Sequence, residues 1–285
     1  MSRTDSYAFR CLMFAALALG LAWAPSSAVA QAALPDSVKA RGAIVVGIEA
    51  TYPPMAYRDP KTNEQVGFNI DLVGAIAKEM GVPVKWEEMT FEQLMTALTT
   101  KRIDMIGTAI SDLPSRREKL TFVDYFVTGS QLFTTTANAA TIKQPLDVCG
   151  KKVGMPRTTS YLPIMTAWSE KNCPAAGKPL VEISGTANSV ATRLDLRQGR
   201  LDAAILGPEY VSFLMRDEPN TYALVGEPLT RTLFGFAFNK GDESLRDAVA
   251  AALGRVIASG AYRATLARHG LERQAIERVM IDSGT

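Results

Sequence analysis

The chain has 285 residues, with 31 basic and 29 acidic side chains and a formal net charge of +2. That balance excludes a polybasic nucleic-acid binder and a basic membrane patch. A single histidine and three cysteines leave little material for a metal centre, whereas 47% apolar residues suffice for one large domain or two small ones.

Arg3 and Arg10 precede an apolar run from Cys11 to Ala24, followed by Pro25-Ser26-Ser27 and Ala28-Val29-Ala30. This pattern predicts a secretory signal over residues 1–30, cleaved before Gln31. The run is short for a membrane span, and Cys11 stands at the wrong end of it for a lipid anchor. The mature chain is expected to be exported and soluble. It keeps Cys149 and Cys173, a pair that an oxidising compartment would join in a disulfide. His269 lies far along the chain from both, so neither a metal nor a cofactor is expected. Its place before Gly270 suits a helix end better than catalysis.

Ala43 to Ile48 reads as a short apolar strand. Asn69 to Met80 reads as a helix, with Ile70, Val73, Ala77 and Met80 on one face and Gly81 as its stop. Val84 to Glu88 is a strand. Thr90 and Gln93 form a capping box that opens a helix through Leu94, Met95 and Leu98. That helix ends at Lys101-Arg102, where cations suit the negative end of the dipole. Ile103 to Thr108 is the next strand. Beyond it, Ser115 and Glu118 have capping-box spacing, which predicts a helix with Arg116 at its first position. Hydroxyls, loop N–H groups and a guanidinium then converge. Such a group can hold a small carboxylate, because arginine offers a planar fork that matches two oxygens.

The pattern restarts after an extended segment, Gln131 to Thr136. Lys152 to Met155 reads as a strand, Ser160 to Glu170 as a helix and Leu180 to Ile183 as a strand. Ala187 to Gln198 is a helix stopped by Gly199, and Asp202 to Leu206 is a strand. Thr232 to Asn239 is again strand-like, and the chain is helical from Glu243. Two βαβαβ sets predict two largely parallel sheets flanked by helices. Ligands in such sheets sit at the carboxyl ends of the strands. The candidate groups there are Glu49 and Tyr52, then Thr108, Ala109 and Ser111, then Arg157, Thr158 and Thr159, and finally Leu206-Gly207-Pro208.

Several segments carry a resemblance in their order and spacing. They are Gly47-Ile48-Glu49-Ala50-Thr51-Tyr52-Pro53-Pro54-Met55, Gly67-Phe68-Asn69-Ile70-Asp71-Leu72, Thr121-Phe122-Val123-Asp124-Tyr125-Phe126, and Gly235 to Lys240 followed by Asp242-Glu243-Ser244-Leu245. From Gly42 to Met280 the chain resembles the bacterial extracellular solute-binding proteins of family 3, the periplasmic receptors of amino-acid ABC importers. The resemblance implies a two-lobed periplasmic-binding-protein fold of type II with two hinge strands. Lobe 1 would comprise 31–134 and 231–285, and lobe 2 would comprise 135–230. It further implies a periplasmic monomer that closes on a small carboxylate-bearing solute and docks transiently on a membrane permease. Arg116 would bind the carboxylate with Ser111, the backbone near Ala109 and Thr159. Tyr52 and Phe91 would sandwich the ligand's side chain, and Glu49 would lie near its far end.

Three positions depart from the family pattern. Asn69 stands where an acidic residue is usual. Gly207 stands where an aspartate usually binds the ligand's ammonium. Arg157 replaces a glycine before Thr158-Thr159. The last two changes favour a ligand with more negative charge and no α-amino group, unless Glu49 or Glu209 supplies the missing carboxylate. Two other functions resemble the same fold: a cyclohexadienyl or prephenate dehydratase, and an accessory protein of a periplasmic quinoprotein dehydrogenase. Prephenate turnover by the purified protein separates the first from a binding protein.

Overall fold

A computed structural model describes residues 34–285; the expected signal segment and its cleavage site lie outside these described residues. Helix α1 (Asp36–Arg41) leads into strand β1 (Ile44–Ile48), whose five residues are all buried, as befits the centre of a sheet covered on both faces. A small antiparallel sheet follows, made of β2 (Thr51–Tyr52), β3 (Ala56–Arg58) and β4 (Gln65–Val66). Helix α2 (Phe68–Met80) stops at Gly81, whose φ of 71° is the left-handed turn expected there. Strand β5 (Val84–Glu88) and helix α3 (Phe91–Thr99) come next, and the Thr90–Gln93 capping box is formed. Strand β6 is only Met105–Ile106, shorter than expected, because the chain leaves the ladder after Gly107 donates to the Gly47 carbonyl.

No helix starts at Arg116. Residues 113–119 form successive turns, with Arg116 N–H on the Leu113 carbonyl at 2.9 Å and Leu120 N–H on the Arg116 carbonyl at 3.0 Å. Strand β7 (Leu120–Gly129) begins at once and takes the residues that a helix would need. Strand β8 (Gln131–Thr135) follows after a single residue. Then come β9 (Lys152–Pro156), α4 (Tyr161–Asn172), β10 (Glu182–Thr186), α5 (Ser189–Arg197) and β11 (Ala203–Leu206). A helix not expected from periodicity, α6 (Pro208–Asp217), leads to β12 (Tyr222–Leu224). The chain closes with β13 (Arg231–Asn239), α7 (Glu243–Ala258), α8 (Ala261–His269) and β14 (Met280–Ile281).

The first large sheet has the order β14-β7-β13-β6-β1-β5 and the second β10-β9-β11-β8-β12. Each keeps a parallel part, β6-β1-β5 and β10-β9-β11, to which the crossing segments add antiparallel strands. The sequence-based division begins the second lobe at 135, whereas β8 already pairs in the second sheet from Gln131. The two crossings run side by side. Leu229 N–H donates to the Ser130 carbonyl at 2.7 Å, and Thr230 Oγ1 to Ser130 Oγ at 2.8 Å. Gly129 permits this approach, since a Cβ there would collide with the Thr230 carbonyl. Rings stack across the β7/β13 pair, Tyr125 on Phe236 at 4.1 Å, which stiffens the first sheet next to the crossing.

Cys149 and Cys173 are bonded, tying the turn before β9 to the end of α4. In the chain-entropy picture a closed loop of this length contributes about 3 kcal/mol. Thiol labelling of the denatured protein, purified without reductant, is expected to find neither cysteine free. The Cys149→Ser/Cys173→Ser double variant is expected to lose about that much stability in denaturant titration. Two reactive thiols in protein purified in that way would rule the bridge out.

Candidate functional site

The carboxyl ends of β1 and β6, the starts of α3, α4 and α5, and the beginning of β13 meet around one cavity, with about 530 Å³ of empty space, mouth included. Of the residues singled out from the sequence, Glu49, Tyr52, Phe91, Thr108, Ala109, Ser111, Arg116, Thr158 and Thr159 line it. Arg157 and Gly207 do not. Arg157 is exposed, with its N–H held by the Thr186 carbonyl at 3.1 Å. Gly207 is buried behind the wall, donating its N–H to the Tyr52 hydroxyl at 3.0 Å.

The two adjacent arginines have different tasks. Arg117 grips Asp112 with a fork of 2.6 and 2.7 Å and also reaches the Gly284 carbonyl. Asp112 is fully buried, so this pair pins the loop to the C-terminal end of the chain. Arg116 is thereby left for the cavity. The one hydrogen bond of its side chain among the described residues is Nη1 to the Ser111 carbonyl at 2.7 Å, and its guanidinium lies 5.9 Å from the Phe91 ring centre. Burial lowers its pKa to about 10, and the cation has no carboxylate partner among the described residues.

Two helix N-termini add positive potential. Thr158, Thr159 and Ser160 precede α4, and Ala187, Asn188 and Ser189 open α5, where Asn188 caps by accepting the Ala191 N–H at 2.9 Å. Unpaired N–H groups at such ends suit an anion. The one carboxylate on the lining is Glu49, which accepts the Phe91 N–H at 3.3 Å. Burial raises its pKa, and the Phe91 N–H and Thr51 hydroxyl partly offset this. The cavity lining thus carries one cation, Arg116, beside two helix N-termini, together with one acidic group.

Hydrogen bonds span the cleft. The Tyr52 hydroxyl, from the side of the first sheet, donates to Glu209 Oε1 at 2.7 Å and lies 3.0 Å from the Tyr161 oxygen. Its ring stacks on Tyr210 with centroids 4.8 Å apart. Ser111 Oγ and Ser160 Oγ are 3.4 Å apart across the same gap. Asn69 explains its own departure from the family pattern. It is fully buried, and its amide donates to the Gly107 carbonyl at 2.7 Å and to Tyr125 Oη at 3.0 Å. A carboxylate has no proton for that carbonyl, so the neutral amide fits where it steadies the loop leading to Thr108. His269 Nε2 meets Asp71 at 2.9 Å, joining the end of α8 to the start of α2, and neither residue lines the cavity.

Sequence reasoning missed Pro156, Ser160, Tyr161, Ala187, Asn188, Ser189 and Phe234 on the lining. The rule that located Thr159, a loop after a strand end, applies equally to Ala187-Asn188-Ser189 after β10. Tyr161 and Phe234 carry no such local signal.

A family model described as bacterial extracellular solute-binding proteins, family 3, matches residues 44–272. The chain is 29% identical over 230 residues to the L-cystine-binding protein TcyJ of Escherichia coli K12, covering 80% of this chain and 83% of that protein. It is also 29% identical over 263 residues to the lysine/arginine/ornithine-binding periplasmic protein of E. coli K12, covering 89% and 94%. Among solved structures, a mutant of ArgBP from T. maritima superposes with a TM-score of 0.74 at 25% identity, covering 82% of this chain and 98% of that one.

Proposed function

Because the chain belongs to the bacterial extracellular solute-binding proteins of family 3, we propose that it is exported to the periplasm, binds an amino acid between its two sheet-bearing lobes and presents it to an ABC permease. The observation that carries this reading is Arg116, a half-buried cation with no carboxylate partner among the described residues, placed in a cavity with the N-termini of α4 and α5. A ligand carboxylate completes that group, since a bidentate pair with arginine is shorter and stronger than a neutral hydrogen bond. The relatives named for L-cystine and for lysine, arginine and ornithine point to the same ligand class.

Two features support an ammonium on the ligand, against the expectation drawn from Gly207 and Arg157. Arg157 is exposed and adds no charge to the lining, while Glu49 contributes a carboxylate to it. Closure would rotate the lobes about the paired crossings at Ser130 and Thr230, with ligand contacts on both sides favouring the closed form. The chain would act as a monomer and carry out no chemistry on its ligand.

A thermal-shift panel of the proteinogenic L-amino acids, L-cystine and L-ornithine tests this reading. At least one is expected to raise the melting temperature at micromolar concentration. No shift from any member at millimolar concentration would remove the amino-acid reading.

A further inference from the structure

We propose that Glu209, a residue outside the cavity, orients a chain of hydroxyl groups so that the Tyr52–Tyr161 wall accepts hydrogen bonds, and that it thereby selects ligands bearing an ammonium group. This rests on the binding reading above and deepens it.

Glu209 is completely buried near the start of α6. Each of its oxygens receives one hydroxyl, Oε1 from Tyr52 at 2.7 Å and Oε2 from Thr128 at 2.8 Å. The Tyr52 oxygen also accepts the Gly207 N–H and lies 3.0 Å from the Tyr161 oxygen. A phenol has one proton and two lone pairs, and an ionised carboxylate only accepts. The Tyr52 proton therefore goes to Glu209. The Tyr161–Tyr52 bond must then be donated by Tyr161, whose only proton is used. Both tyrosines line the cavity. A ligand that reaches the Tyr161 oxygen therefore meets an acceptor, which welcomes an ammonium and repels a carboxylate. Arg116 and the two helix ends take the carboxylate, so the ligand's orientation is set as well.

Gly207 belongs to the same device. A Cβ there would collide with Glu209 Oε1 and come within 2.5 Å of the Tyr52 oxygen. The Glu209 carboxylate occupies the space that a side chain at 207 would take. It does not line the cavity itself, and its effect reaches the wall through Tyr52.

The titratable groups facing Glu209 are Tyr52 on β2, Tyr161 on α4 and Tyr125 on β7, with Arg116 acting on Tyr161. Burial pushes all three phenols well up, so they keep their protons. Burial also raises Glu209, to about 7, so it alone of this set changes charge near neutrality. Once protonated, Glu209 can donate to Tyr52, and the chain is free to reverse and send the Tyr161 proton into the cavity. The preference for an amine is therefore present above about pH 7 and declines below it.

The test uses calorimetry on wild type, Glu209→Gln and Tyr161→Phe. The best-binding amino acid of the panel is compared with its analogue lacking the α-ammonium, well below and well above about pH 7. Wild type is expected to prefer the amino acid by at least about tenfold at the higher pH and by less at the lower. Glu209→Gln, whose amide oxygen still accepts the Tyr52 proton but cannot titrate, is expected to keep the high-pH ratio and to show no pH dependence. Tyr161→Phe, which removes the acceptor and leaves Glu209 in place, is expected to lose about tenfold of the ratio at the higher pH. A pH-dependent ratio in folded Glu209→Gln overturns the proposal, and so does an unchanged ratio in Tyr161→Phe. Wild-type protein that binds no panel member brings down the binding reading and this inference with it.

Discussion

Arg116→Ala is expected to lose about 2–5 kcal/mol of ligand affinity while leaving the fold almost unchanged. The size follows from what the substitution strands: a ligand carboxylate buried in the cleft without its fork. The mildness toward the fold follows from how little the Arg116 side chain holds together, one hydrogen bond to the Ser111 carbonyl and one ring contact with Phe91. Arg116→Lys is expected to recover only part, because an ammonium cannot make the bidentate pair. The neighbouring Arg117→Ala is expected to do the reverse. It frees the fully buried Asp112 from its fork and should lower stability more than affinity. Calorimetry and denaturant titration on the three variants separate these outcomes. Unchanged affinity in Arg116→Ala would place the ligand elsewhere.

Gly207→Asp, which introduces the residue that the family pattern suggests, is expected to cost at least about 3 kcal/mol of stability. Overfilling a packed site costs about 1–3 kcal/mol. A second buried carboxylate beside Glu209 adds several more unless one of the two protonates. The added side chain meets Glu209 Oε1 and the Tyr52 hydroxyl, the two atoms that hold the wall of the cleft together. Combining Gly207→Asp with Glu209→Ala is expected to recover much of the loss, because the second change vacates the volume and removes the competing charge. Melting curves of the two single variants and the double variant give the coupling directly. Additive losses would mean that positions 207 and 209 do not share one space.

Much of the fold is legible in the sequence because its signals are short-range. The 68–80 helix announces itself by periodicity and its glycine stop, the 91–99 helix by a capping box, and β1 by an unbroken apolar run. The same spacing fails at Ser115 and Glu118. A capping box can only open a helix where the chain is free to continue it, and there β7 claims the residues from Leu120 onward. Helix α6 escapes notice because Pro208 and Glu209 resemble loop chemistry after a strand, although a proline in the first turn is also a helix start.

The candidate site divides along similar lines. The sequence alone is enough to indicate the strand-end loops that supply Glu49, Tyr52, Thr108, Ser111, Arg116 and Thr159, because in alternating α/β chains those loops gather on one edge. Its residues single out Arg116 over Arg117 only through a capping box that does not form and through the resemblance. The two are identical side chains one residue apart, and the choice is made by Asp112, which holds Arg117 and leaves its neighbour to the cavity. Nor do they place a carboxylate from α6 in the space beside Gly207, or set Tyr161 against Tyr52, 109 residues away in sequence. Periodicity, caps and glycine stops act within a few residues and so are written locally. The partner that each buried polar group finds depends on which atoms the packed lobes bring within about 3 Å, and that distance is set only when the tertiary structure closes.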